Sequence, residues 1–196
     1  LADGARGIRS FFAVEIGEEV AARIAEAQAR LKECGGAVKW VNPANLHLTL
    51  KFLGEVESAA IPGLIEATSR ELAGAGAFRA TLAGLGGFPS ASRPRVIWAG
   101  IGEGGEGLAD LAERVERACE QLGFPREKRP FSAHLTLGRV REGGGGGELG
   151  ERILQEGQSE FGETGVKSVV LMESRLRREG PEYLVQARFE LEGERR

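Results

Sequence analysis

Histidine is nearly absent from this chain: two in 196 residues, with one tyrosine, one methionine, two cysteines and two tryptophans. Cys34 and Cys119 give no disulfide framework and no zinc-ligand spacing, and read as quiet thiols. Neither H-x-x-x-H nor H-E-x-x-H occurs, which argues against a metal hydrolase. No apolar run reaches the ~18 residues of a membrane span. The opening LADGARGIRS has no apolar signal core, so no membrane association and a cytoplasmic location are expected. Positive charge is not in excess either. The formal net charge of −3 argues against a generic nucleic-acid coat or a polybasic membrane binder. Hydrophobic residues at 41% and charged residues at 28% instead describe a folded chain with length for a sizeable core.

The scarcity of histidine makes its placement informative. His47 heads HLTL in ANLHLTLKFL, and His134 heads HLTL in SAHLTLGRV. By chance a given histidine precedes Leu-Thr-Leu about once in two thousand cases, so the pair points to an internal repeat. Cys34 lies 13 residues before His47 and Cys119 lies 15 before His134, and the order helix, polar turn, HLTL strand occurs twice.

Hydrophobic period and turn residues predict strands over 8–16, 38–41, 46–53, 78–85, 95–101, 133–140, 161–164, 166–176 and 183–191. Helices are predicted over 18–34, from a cap at Ser58 through Leu72, over 108–122 and over 149–156. The tract EGGGGGE over 142–148 reads as a flexible loop, with the role of Gly143–Gly147 open. Mixed order without strict βαβα alternation gives an α+β class. The simplest arrangement is one bilobal domain over 8–191, with two pseudo-symmetric lobes that each bring one HLTL strand to a shared cleft.

Side chains alternate across a strand, so His47 shares a face with Thr49, and His134 with Thr136, while the leucines anchor the opposite face. Ordinary surface or core histidines are the alternative, but burying two His-Thr pairs without partners is costly. Two imidazoles near pH 7 can serve as one acid and one base, and two hydroxyls can donate to two non-bridging oxygens. That set suits in-line displacement at phosphorus without a metal or other cofactor. Lys51 continues the His47–Thr49 face at period two. Arg139 follows Thr136 by three residues and either turns into the cleft or is solvated. Arg93, Arg95, Arg126, Lys128, Arg129 and Arg141 are expected to be solvated.

With these residues the sequence resembles the two-histidine (2H) phosphoesterase superfamily, and within it the bacterial and archaeal RNA 2',3'-cyclic phosphodiesterases, first described as 2'-5' RNA ligases. IRSFFAVEI resembles the family's opening strand and NLHLTLKFLGEV its first motif. GGFPSASRPRVIWAGI resembles its central segment, RPFSAHLTLGR its second motif, and LMESRLRREGPEYLV its closing hairpin. Ala133 stands where the family commonly has proline. The resemblance implies antiparallel sheet with outer helices around the cleft, and a metal-independent opening of a 2',3'-cyclic phosphate to a 2'-phosphate. It implies His47 as proton donor, His134 as proton acceptor, Thr49 and Thr136 on the phosphate, and Arg139 assisting. Lys51 is a further substrate-binding candidate. Phe12 either stacks near the nucleotide or belongs to the core. The implied partner is RNA with a cyclic phosphate end, or a small cyclic nucleotide. A monomer is expected, with no obligate protein partner.

Other readings remain. A 5'-hydroxyl in place of water would make the same cleft a 2'-5' RNA ligase. A non-catalytic RNA-end binding module would keep the fold without turnover, although the His47, Thr49, His134, Thr136 tetrad is intact. Gly100 to Gly105 matches G-x-G-x-x-G, but Glu103 and Glu106 would meet a pyrophosphate with like charge, and no parallel βαβ series surrounds it.

Overall fold

The computed structural model describes residues 7–141, 144, 146–178 and 180–194. The glycine tract predicted as a loop therefore lies partly outside the described residues. Strand β1 (Gly7–Glu15) leads to helix α1 (Glu18–Glu33), strand β2 (Val38–Trp40) and strand β3 (His47–Glu57). Helix α2 (Ile61–Leu72) follows, then β4 (Gly76–Phe88), β5 (Val96–Ile101), α3 (Gly105–Glu120) and β6 (His134–Val140). Helix α4 (Glu148–Gln155) and strands β7 (Glu160–Val166), β8 (Ser168–Arg177), β9 (Gly180–Glu190) and β10 (Glu192–Glu194) complete the described chain.

Apolar spacing on the helices works as predicted. Helix α1 buries Val20, Ile24, Ala27 and Leu31 at 3–4 residue intervals, and its acidic first turn and basic last turn suit the helix dipole. Helix α2 differs at its start. A 3-10 turn over Ser58–Ala60 precedes it, and no side chain caps either element, so the predicted Ser58 cap is not formed. Strand β10 has no counterpart among the predicted strands; it pairs parallel with β4.

Among the described residues the strands run β10-β4-β5-β6-β3-β1-β8-β9, with β2 beside β6 and β7 beside β4. The two HLTL strands are neighbours in the middle, antiparallel, and meet at Leu48 opposite Leu135. Both leucines are fully buried in one continuous core that includes residues of all four helices. Helices cross between the halves. Helix α1 packs against β7 and α4 on the side of the second HLTL strand, whereas α3 packs against β3 and α2 on the side of the first. The spatial halves are thus interleaved in sequence, which ties them into one core.

Each HLTL strand carries a bulge at its last leucine. In β3, Thr49 faces Ala13 and Lys51 faces Phe12, so Leu50 is the extra residue. In β6, Thr136 faces Trp98 and Gly138 faces Ile97, so Leu137 is the extra residue. A bulge inserts one residue and reverses the alternation beyond it. The freed Leu137 carbonyl is satisfied by the Val41 amide and the Gln28 amide nitrogen, each at 2.9 Å. A second irregularity on β3 leaves out Leu53, and Gly54 beside it takes φ +73°, a backbone angle that favours glycine.

Candidate active site

These bulges decide which side chains reach the cleft. Beyond Leu50, the cleft face passes to Phe52, and Lys51 turns inward. Lys51 is 3% exposed and its ammonium donates to Glu116 at 2.8 Å and to the Pro125 carbonyl at 2.9 Å. The expectation that Lys51 binds substrate is corrected: strict period two fails across a bulge. The same device has the opposite result on β6, where it brings Arg139 into the cleft lining. Gly138 turns inward there, and a Cβ on it would come within 3.0 Å of the Trp40 ring.

Phe12 is also corrected, to the core. It is fully buried and packs against Phe189 at 6.2 Å. Neighbouring residues on a strand point to opposite faces. Pairing Glu15 with His47 and Ala13 with Thr49 puts Phe11, not Phe12, on the cleft side. The Phe11 ring stacks on His47 at 4.8 Å, and Tyr183 of the β8–β9 hairpin meets the same imidazole edge-on at 5.2 Å.

A cavity of about 1000 Å³ is lined by His47, Thr49, Thr136 and Arg139, together with Arg9, Phe11, Lys39, Trp40 and the hairpin that carries Tyr183. His134 is not in that lining; it is half-buried at the head of β6, its ring edge-on to Phe88 at 5.2 Å. Leu48–Leu135 is the one pair in register between β3 and β6 among the described residues. The two histidines therefore head their strands on opposite sides of that leucine pair, each on the side toward which the other strand runs.

The two imidazoles are held alike. His47 Nδ1 is 2.8 Å from the Asn45 carbonyl, and His134 Nδ1 is 2.7 Å from the Ser132 carbonyl, each two residues upstream. A carbonyl only accepts, so Nδ1 carries the proton and Nε2 is left for exchange. Asn45 also donates from its side chain to the Pro181 carbonyl at 2.7 Å, fastening the β8–β9 hairpin to the turn that holds His47. No sequence signal marked Asn45, because its contact with His47 is made by backbone. Burial holds the His47 pKa below the ordinary imidazole value, and the Asn45 hydrogen bond partly offsets this. Arg126, expected to be solvated, is engaged by Glu113 and Glu120 outside the cleft. The Gly100–Gly105 stretch borders a separate hollow with Glu103, Glu106 and Asp110 in its lining and no residue of the cleft.

The family described as LigT like Phosphoesterase matches residues 14–98 and 101–183, one stretch around each HLTL motif. An RNA 2',3'-cyclic phosphodiesterase of Aquifex aeolicus is 36% identical over 193 residues, covering 96% of this chain and 98% of that protein. The protein of the same name from Archaeoglobus fulgidus is 36% identical over 90% of this chain and 96% of its own length. Among solved structures, TT0787 of Thermus thermophilus superposes with a TM-score of 0.80 at 34% identity, covering 95% of this chain and 99% of that one. E. coli LigT complexed with 3'-AMP gives a TM-score of 0.76 at 27% identity, over 94% and 98% of the two chains. The chain belongs to the LigT-like phosphoesterase family.

Proposed function

We propose that this protein is an RNA 2',3'-cyclic phosphodiesterase that opens a terminal 2',3'-cyclic phosphate to a 2'-phosphate without a metal ion. The observation that carries this reading is the matched pair of imidazoles, each with Nδ1 tied to a carbonyl two residues upstream, on two adjacent antiparallel strands that meet at Leu48 and Leu135. In the reaction His134 takes a proton from water as its oxygen bonds to phosphorus. The bond from phosphorus to the 3' oxygen breaks, and His47 delivers its Nε2 proton to that oxygen. Thr49 and Thr136 donate to the non-bridging oxygens, and Arg139 adds positive charge as negative charge builds. The relatives of that name, matched over nearly the whole chain, support the substrate.

A short RNA ending in a 2',3'-cyclic phosphate, incubated with and without EDTA, tests the proposal. The expected product is the 2'-phosphate, formed at equal rates in both. Loss of activity with EDTA would make this a metal enzyme, and binding without product would make it a recognition module.

The pH profile tests the roles. His47 must be protonated to act as donor, and its pKa lies below the ordinary 6.5 because burial disfavours the cation. Activity then falls as pH rises through that lowered value, giving the alkaline limb of kcat/KM. Replacing Tyr183 by alanine uncovers the imidazole, raises its pKa and should move the alkaline limb upward. Movement of the acid limb instead would exchange the two histidines' roles.

A further inference from the structure

The repeat places Phe52 three residues after Thr49 and Arg139 three residues after Thr136. With a bulge between in each strand, both side chains stand in the cleft lining at matching positions. The first motif thus has a phenyl ring where the second has a guanidinium. Arg9 of the adjacent β1 fills that place: its guanidinium carbon lies 4.6 Å from the centroid of the Phe52 ring. Phe52 is 43% exposed, so the ring serves as a seat for the cation rather than as core.

Arg9 and Arg139 both line the cavity, and among the described residues neither has an ion-pair or hydrogen-bonding partner. Glu55 lies across the strand pair from Arg9, but its carboxylate lies against Gly7 and forms no ion pair with Arg9. Arg177, in the same lining, is by contrast engaged by Glu182 at 3.0 Å. Burial raises the Tyr183 phenol, while Arg139 and then Arg9 draw it back, so both cations act on the ring that covers His47.

Position separates the work of the two arginines. The Arg9 guanidinium sits over Phe52, which pairs with Phe11, two residues along β1 from the Ala13–Thr49 pair. At ~3.3 Å per residue that is about 7 Å from the level of Thr49. One phosphoryl group held between the histidines does not extend so far, whereas the next phosphodiester of a strand does. We propose that Arg9, seated on Phe52, binds the phosphodiester on the 5' side of the terminal nucleoside, so that this site selects an RNA strand over a cyclic mononucleotide. This rests on the phosphodiesterase reading above.

The test compares kcat/KM on two substrates: adenosine 2',3'-cyclic phosphate with a free 5'-hydroxyl, and a trinucleotide RNA ending in the same group. In Arg9→Ala the ratio of trinucleotide to mononucleotide should fall about tenfold or more, the loss of one charge-assisted contact. The salt dependence of the trinucleotide value should weaken by about 0.7 in logarithmic slope. Phe52→Leu should lower the ratio less, and Arg9→Lys should restore part of it. Arg126→Ala, which removes a cation outside the cleft, should leave the ratio as in the wild type. An unchanged ratio in Arg9→Ala overturns the inference, whether both rates fall together or neither does. Failure of the parent reading shows separately, as a wild-type enzyme that turns over neither substrate.

Discussion

Replacing His47 or His134 by alanine should lower turnover of a cyclic-phosphate RNA by ~10²–10⁴-fold while leaving the fold intact. Both imidazoles are partly exposed at strand heads, and their removal opens no cavity in the main core. In the proposed mechanism each histidine moves a proton in the displacement at phosphorus, which sets the size of the loss. Without His134, water must attack unassisted; without His47, the 3' oxygen must leave as an alkoxide. The double variant should cost little more than the worse single one, because an acid and a base that act in one step work as a unit. Thr49→Ala and Thr136→Ala should each cost less, since each removes one donor while the other motif's hydroxyl remains. Steady-state rates with circular dichroism on each variant would check this. Near-normal turnover in either histidine variant would remove that residue from the mechanism, and loss of folding in a threonine variant would mean that its hydroxyl supports the core.

The second large effect is on stability. Lys51→Ala should destabilise the protein by ~3–5 kcal/mol, because it leaves the Glu116 carboxylate uncompensated in the core. The two side chains are only 2% and 11% exposed, so solvent cannot replace the lost partner. Against a typical total of about 5–15 kcal/mol, that is a large share. Removing both charges should restore most of the loss: Lys51→Met with Glu116→Leu puts apolar groups of similar size in place of the pair. Cys119 lies beside these residues with its thiol pushed up to about 12 by burial, so it stays neutral and contributes no compensating charge. Denaturant midpoints of the two single variants and the double would settle the matter. A Lys51→Ala protein as stable as wild type, but with a raised KM, would return Lys51 to the substrate and remove its pairing with Glu116 as a source of stability.

Lys51 also marks the point where reading the sequence and reading the structure part company. The repeat of His-Leu-Thr-Leu, the facing of each histidine with its threonine, the α+β class and most element positions were legible from residue type and period alone. Each of those depends on local rules: alternation within a strand, helical spacing, and glycine or proline at turns. Phe11 against Phe12 was not legible. Two adjacent phenylalanines must take opposite faces, but only the pairing of β1 with β3 says which one meets His47. Lys51 was not legible for a related reason, and spacing alone left Arg139 open, although the family resemblance put it at the phosphate. A bulge is a disagreement between two strands about how many residues they spend over the same length, and it appears in neither strand's sequence separately. Nor could the sequence show that α1 and α3 pack across to the other half of the molecule, or that Arg9 would come to rest on Phe52. The chain by itself determined which groups were available for chemistry and on which strands they stood. The tertiary structure decided which of them share a cleft, because strand register and the crossing of helices are set by long-range pairing and by the burial of one common core.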